Sequence, residues 1–190
     1  VAAKLNLGGG YGLWYTDEDA KISSAQYALY LDAIVDEIKA KAKEYSLDEP
    51  YLLIEPGRSI VGEAGVTLYT VGAIKEIPGV KKYVAVDGGM FENPRYALYQ
   101  AKYTAVLANR MNDKADDVVT VAGKCCESGD IVCANVPLPK AKTGDILAVL
   151  STGAYNYSMA SNYNRNPIPP VVLAGEGHAD YIVKPQTFED

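Results

Sequence analysis

The chain is poor in histidine, tryptophan, phenylalanine and cysteine, with one, one, two and three of them in 190 residues, and its 18 basic residues are outnumbered by 24 acidic ones. Each shortage excludes something. The single histidine, His178, reads as a surface residue at the end of a strand candidate, and one histidine in that context supplies no Ser-His-Asp or Cys-His triad. The cysteines are odd in number, and Cys125 and Cys126 are adjacent. That argues against a disulfide framework and for a reducing, cytoplasmic setting. Cys125, Cys126 and Cys133 also lack the paired spacing of a zinc site, so no metal is expected. A formal charge of −6 has the wrong sign for nonspecific nucleic-acid binding, although it leaves room for a local cationic pocket. No apolar run approaches the roughly 18 residues of a membrane span, and no basic stretch followed by an apolar one marks a secretory signal. Neither nucleic acid nor membrane is an expected partner.

What is present is a globular composition, 48% hydrophobic and 22% charged, in a chain long enough for one domain or two small ones and for a core without staples. Tyrosine is in excess at 15 residues, and so many phenol hydroxyls need polar partners or a wet interface. The chain opens on Val1, without Met, and is almost at once inside a strand-like run.

Two rhythms divide it. Leu5-Asn6-Leu7 stops at Gly8-Gly9-Gly10. Helical spacing over Ser24–Tyr45 places Tyr27, Leu31, Ile34, Val35, Ile38 and Ala42 on one face, and Tyr51–Ile54 is a continuous apolar run suited to a strand buried on both sides. Strand, helix, strand is the βαβ rhythm of an α/β barrel or doubly wound sheet. From about Gly62 onward, strand candidates follow one another: Val66–Ile77, Tyr83–Val86, Val118–Val121, Ile131–Val136, Ile146–Leu150, Val171–Leu173 and Tyr181–Val183. Only Tyr96–Arg110 has helical character there. The expected fold class is therefore α/β plus all-β, divided into residues 1–63 and 64–190. The second part is a β-sandwich or β-barrel. A full α/β barrel needs eight units and about 250 residues, so the first part reads as the end of a barrel whose beginning lies outside this sequence.

Several short motifs carry possible chemistry. The Gly8–Gly12 loop after a strand suits either a bound phosphate or a tight turn, and it is not the dinucleotide fingerprint because Leu13 stands where the third glycine belongs. Glu55-Pro56-Gly57-Arg58 ends the second buried strand, as a zwitterion or phosphate site or as a strand-end salt bridge. Cys126 beside Glu127 is an acid–base candidate or a plain buried thiol. Arg95 and Tyr99, four apart, are able to share a helical face or turn, or are equally surface residues. The Asn156 sequon is read as chance.

Taken in order, LNLGGGYG (Leu5–Gly12), EPGRSIVGEAG (Glu55–Gly65), VDGGM (Val86–Met90), RYALY (Arg95–Tyr99), CESGD (Cys126–Asp130) and GAYNYSMASNY (Gly153–Tyr163) resemble the diaminopimelate decarboxylase family. These are pyridoxal-phosphate (PLP) enzymes with an alanine-racemase-type (β/α)8 barrel and a β-domain. The resemblance spans nearly the whole chain and makes it the C-terminal half of such an enzyme. It implies PLP held by Gly8, Gly9, Gly10, Glu55, Pro56, Gly57, Arg58 and Tyr155, with Glu55 on the pyridine nitrogen. It implies substrate contacts from Arg58, Arg95, Tyr99, Glu127 and Tyr155, and Cys126 as the proton donor after CO2 leaves. It further implies a homodimer with the active site at the interface, meso-diaminopimelate as substrate, L-lysine as product, and a Schiff-base lysine and stacking histidine in the other half of the enzyme. This chain alone is then inactive. Tyr163-Asn164-Arg165-Asn166-Pro167-Ile168-Pro169 departs from the family's usual Y-N-x-R-P-R-P by lacking both later arginines. Rival readings are a sister decarboxylase for ornithine, arginine or carboxynorspermidine, against the first two of which Glu127 argues, and a decarboxylase-like binding protein without chemistry.

Overall fold

A computed structural model describes residues 3–190. Near the chain start, β1 (Lys4–Asn6) and β2 (Tyr51–Leu53) lie parallel, Leu5 opposite Leu52. Between them runs α1 (Ser24–Glu44), opened by a capping box in which Ser23 and Gln26 satisfy each other's backbone N–H groups. Lys41 and Lys43 in its last turn suit the negative helix end. The expected apolar stripe is the face that turns inward: Tyr27, Leu31, Ile34, Val35 and Ile38 are half-buried and Ala42 is buried, while Leu29 and Tyr30 beside the stripe stay exposed. β2 departs from expectation. Only Leu52 is half-covered, and Tyr51 and Leu53 are exposed. A two-stranded parallel pair with one helix has nothing to cover its second face.

The chain then forms α2 (Arg58–Val61) and enters a six-stranded mixed sheet. Its members are β3 (Thr67–Ile77), β4 (Lys81–Val86), β5 (Ala105–Leu107), β6 (Asp117–Ala122), β7 (Ile131–Leu138) and β8 (Ile146–Val149), in the order β5-β8-β3-β4-β6-β7. All neighbours are antiparallel except β4 and β6. β3 is the spine. Thr67–Thr70 pair with β8, Val71–Ile77 pair with β4, and a register shift between Val71 and Ile74 bends the strand from one neighbour to the other. The outer strands β5 and β7 approach each other, so the sheet curls nearly into a barrel. Its interior is closed by Val84, Val121, Val132, Leu138, Leu147 and Val149, all fully buried. Pro137 is tolerated in β7 because that strand ends the order. A separate hairpin, β9 (Val171–Gly175) with β10 (His178–Val183), follows, and His178 opens β10 exposed to solvent. Among the described residues no helix is long and apolar enough to cross a membrane.

The helical reading of Tyr96–Arg110 is corrected. Helix α3 (Arg95–Tyr99) makes little more than one turn. Gln100 takes a left-handed φ of 51°, and its N–H returns to the carbonyls of Arg95 and Tyr96. The next apolar triplet is extended as β5, with Ala105 and Leu107 buried against β8. Three residues are too short a run for period 2 to announce itself against period 3.6.

A carboxyl group is among the polar groups buried against this sheet. Glu92 is buried; its carboxylate accepts from Gly89 N–H at 2.8 Å and from the Tyr69 hydroxyl at 3.1 Å. Burial pushes its pKa up to about 7, against the partial relief of those two donors. An unfolded glutamate has a pKa near 4.3, so between the two values the folded chain holds a proton that the unfolded chain has released. Stability is thereby lost as pH rises through that window, on the order of 3 kcal/mol by pH 7 and above. Glu92→Gln removes the titrating group and should flatten the profile. Urea denaturation of both proteins at several pH values from 4.5 to 7.5 checks this, and parallel profiles would contradict it.

Candidate active site

Because β1 and β2 are parallel, their C-terminal ends open on the same side, and both glycine-bearing motifs leave the sheet there. Asn6 and Glu55 tie the two exits together. Asn6 Nδ2 donates to Glu55 Oε1 at 2.6 Å, Asn6 Oδ1 accepts from Gly8 N–H at 2.8 Å, and Glu55 N–H donates to the Gly8 carbonyl at 2.8 Å. Gly9 lies directly against the Glu55 carbonyl, where any β-carbon would collide. Glu55 Oε2 makes no protein hydrogen bond among the described residues, and neither do the N–H groups of Gly9, Gly10, Gly57 and Arg58. Free amides around a glycine loop form a cradle for an anion.

Gly57 has φ +49°, and the Tyr155 hydroxyl would stand 2.9 Å from a β-carbon placed there. Tyr155 is itself left-handed, with φ 71°, as the cap of α4 (Asn156–Met159). Such backbone states cost about 1–3 kcal/mol and persist where the surroundings enforce them. The enforcement is visible in backbone contact. Gly153 N–H donates to the Gly62 carbonyl and Thr152 N–H to the Gly65 carbonyl, both at 2.9 Å. Gly65 and Gly153 press together so closely that neither admits a β-carbon.

Beyond Tyr155 lies Arg95, 8% exposed. Its guanidinium stacks among Tyr15, Tyr103 and Tyr155, with centroid distances of 5.4, 5.9 and 5.5 Å. Nη1 donates to the Tyr15 hydroxyl at 2.9 Å and to the Tyr103 hydroxyl at 3.1 Å, and the Tyr103 hydroxyl donates to Asn156 Oδ1 at 3.4 Å. Burial works against the guanidinium charge, but the two phenol oxygens outweigh it and hold the pKa above its ordinary value. Burial also raises Tyr103, to about 12, so the phenol stays neutral. No carboxylate pairs with Arg95 among the described residues, and its Nε and Nη2 are neither hydrogen-bonded nor sealed from the surface. A buried cation surrounded by neutral donors and acceptors is a site lacking an anion. Arg58 is the second cation nearby: its Nε donates to the Tyr11 carbonyl at 3.4 Å and its head lies 5.8 Å from the Tyr15 ring.

The Cys126 turn is elsewhere. Cys126 and Glu127 are exposed, and no hydrogen bond, ion pair or stacking contact joins them to Glu55, Arg58, Arg95 or Tyr155 among the described residues. They are held by the segment that departs from the family pattern. Cys126 N–H donates to Asn164 Oδ1 at 2.7 Å, and the Tyr163 hydroxyl donates to Glu127 Oε2 at 3.3 Å. Cys125 is half-buried, and burial, with Asp130 beside it, pushes its thiol up to about 11. Cys133, within β7, is buried, and burial raises its thiol to about 12.

Of the residues singled out in the sequence, Gly8, Gly9, Gly10, Glu55, Pro56, Gly57, Arg58, Arg95 and Tyr155 therefore lie about one cradle, while Cys126 and Glu127 form a second cluster. Tyr99 joins neither: it ends α3 and is 64% exposed. Arg95 and Tyr99 do share the one turn of α3, as their spacing of four allowed. Asn6, Tyr15, Tyr103 and Asn156 went unrecognised. The tyrosine excess pointed to hydroxyls with polar work, but not to which ones.

Comparison with known proteins follows this geometry. The family model described as pyridoxal-dependent decarboxylase, C-terminal sheet domain, matches residues 14–153. The chain is 54% identical, over all of its length, to diaminopimelate decarboxylase of Bacillus subtilis (strain 168), and covers 43% of that protein. It is 56% identical over 95% of its length to the protein of the same name from Bacillus methanolicus, covering 41% of it. Among solved structures it superposes on the M. jannaschii diaminopimelate decarboxylase in complex with L-lysine with a TM-score of 0.86 at 37% identity, covering 98% of this chain and 41% of that one. The chain thus spans less than half the length of the relatives it matches. With its curled sheet, strand-end cradle and family match over residues 14–153, it belongs to the pyridoxal-dependent decarboxylase family, of which it carries the C-terminal sheet domain.

Proposed function

We propose that this chain is the C-terminal part of a diaminopimelate decarboxylase, which releases CO2 from meso-diaminopimelate to give L-lysine. In this reading residues 1–63 are the end of the PLP-binding barrel and residues 64–190 the β-domain. The names of its relatives, at 54% and 56% identity, support it. The observation that carries it is Arg95: a buried guanidinium with no carboxylate partner among the described residues and with free nitrogens. Diaminopimelate has a second carboxylate to place there. Ornithine has none, and would leave the charge buried and unpaired.

The residues fit the family's cofactor. The free amides of Gly9, Gly10, Gly57 and Arg58 suit its phosphate, and Glu55 Oε2, unpartnered while Oε1 is held by Asn6, suits a protonated pyridine nitrogen. Pyridoxal phosphate supplies the electron sink for the pair left when the carboxyl group departs. Glu55 holds the ring proton that makes the sink effective, and Gly8 and Pro56 frame the exits of the two strands. Arg58 adds positive charge for phosphate or for the reacting carboxylate, and Tyr155 closes the space between cradle and Arg95. Cys126 Sγ delivers the proton to the α-carbon, and Glu127 accepts the remote ammonium group. Tyr99, exposed here, extends the substrate side only at its outer edge. Among the described residues no hydrogen bond, ion pair or stacking contact ties Cys126 and Glu127 to the cradle, and in this reading they serve the cradle of a second subunit: the active enzyme is a homodimer, with a cytoplasmic, biosynthetic role.

A substrate panel on the full-length enzyme tests the reading: meso-diaminopimelate is decarboxylated, while ornithine and arginine are refused. One charge-assisted hydrogen bond contributes about 1.5–3 kcal/mol, so Arg95→Gln should lower kcat/KM for meso-diaminopimelate about 10- to 100-fold. Ornithine turned over equally well by the unmodified enzyme would remove the assignment.

Cys126→Ala should lower kcat by about 100-fold or more while the bound cofactor's absorbance persists; unchanged turnover would take the proton-donor role from Cys126. The 190-residue chain with added PLP should release no CO2, since the Schiff-base lysine belongs to the rest of the enzyme. No lysine bonds to Glu55, Arg58 or Tyr155 among the described residues. Measurable CO2 from the purified chain would refute this.

A further inference from the structure

The turn bearing Cys126 contains a buried carboxylate that the proposed chemistry does not use. Asp130 is 4% exposed. Its Oδ1 accepts from Met90 N–H at 2.6 Å and its Oδ2 from Cys125 N–H at 2.7 Å. The backbone closes the same unit: Gly123 N–H donates to the Asp130 carbonyl at 2.9 Å, and Asp130 N–H to the Glu127 carbonyl at 3.1 Å. Gly89 and Gly123 flank the carboxylate, and a β-carbon on either would press into its oxygens. The two amides come from different loops, one after β4 and one after β6. Hydrogen bonds to an ionised acceptor are roughly twice as strong as neutral ones, so this carboxylate fixes the two loops against each other.

The consequence falls on two adjacent thiols. With its amide clamped, Cys125 is drawn inward beside Asp130, and Asn166 Nδ2 approaches its Sγ at 3.7 Å. Cys126 is turned outward, its own N–H held by Asn164. We propose that Asp130 is the positioning residue for Cys126: by clamping the Met90 and Cys125 amides it sets the direction in which Cys126 leaves the sheet and keeps Cys125 out of the chemistry. The catalytic half of this inference rests on the function proposed above. The raised pKa of Cys125, caused first by burial and then by Asp130, agrees with a silenced neighbour.

The test uses the full-length holoenzyme, iodoacetamide, and site-resolved mass spectrometry at a pH near the ordinary thiol pKa of about 8.5. In the unmodified protein Cys126 reacts and Cys125 lags. Asp130→Asn should raise the ratio of Cys125 to Cys126 labelling about tenfold and lower kcat about 100-fold through misplacement of the donor. A folded variant with an unchanged labelling ratio, or with unchanged kcat, overturns the proposal. Hydrogen exchange on the unmodified enzyme provides a measurement that no folding defect can obscure. The Met90 and Cys125 amides should be protected, and exchange at the rate of open loops overturns the clamp. A full-length enzyme inert toward meso-diaminopimelate would instead sink the decarboxylase reading, leaving the labelling ratio and the exchange rates to judge Asp130.

Discussion

Everything around the candidate site depends on one place where two stretches of backbone touch with no side chains between them. Gly62–Gly65, just after α2, lies against Thr152-Gly153, just after β8, through two hydrogen bonds of 2.9 Å. The contact joins the βαβ unit to the curled sheet. It also determines where Tyr155 goes, because the chain leaves Gly153 and reaches that residue two positions later. From there the hydroxyl meets Gly57 and the ring meets Arg95. A β-carbon at Gly65 or Gly153 would separate the segments, and the left-handed Tyr155 would lose the packing that offsets its strain.

The electrostatic arrangement follows from that geometry. Two arginines approach the cradle, and the aromatic groups around them are phenols, which accept hydrogen bonds without cancelling charge. An aspartate in place of Tyr103 would pair with Arg95 and leave nothing for a ligand. This accounts for tyrosine rather than phenylalanine at Tyr15 and Tyr103: the ring stacks on the guanidinium while the hydroxyl oxygen accepts a hydrogen bond from it. Around Asp130 the rule is inverted. There an anion is stabilised by backbone amides, so it directs the chain instead of attracting a partner.

The sequence made a good part of this legible, for identifiable reasons. The stripe of α1 was visible because it repeats over five turns, and the β-strands because turn residues such as Asp87-Gly88-Gly89 and Thr143-Gly144-Asp145 mark their ends. The Gly8–Gly10 and Glu55–Arg58 motifs were legible because each is a contiguous word at the end of a strand. β5 was missed because three residues carry no period. Tyr103 and Asn156 were missed because Tyr103 meets Arg95 from 8 positions along the chain and Asn156 meets Tyr103 from 53, a nearness created only by the fold. Asn156 shows the loss plainly, since as a sequon it was dismissed as chance, and as a neighbour of Tyr103 it ends the hydrogen-bond chain that steadies the guanidinium. Asp130 stood within a quoted motif, yet nothing in the order of residues says that its carboxylate reaches Met90.

The separation of the two clusters bears on how such an enzyme is built. A proton donor that moved with the cofactor cradle would need only the barrel. Here Cys126 hangs between β6 and β7 of the sheet, with the amide of its neighbour Cys125 held by Asp130 and its own N–H held by Asn164, and among the described residues no hydrogen bond, ion pair or stacking contact joins it to the cradle. An exposed thiol whose backbone is fixed in this way has a set direction. Under the proposed dimer, the target is the neighbouring cradle, and the sheet domain becomes the arm that carries the acid across. Its rigidity is then a catalytic requirement, because the distance from Sγ to the reacting carbon is spanned by the interface and corrected by nothing else. The two strands that lead to the Cys126 turn are themselves anchored in the core, β6 by Val121 and β7 by Val132, both fully buried.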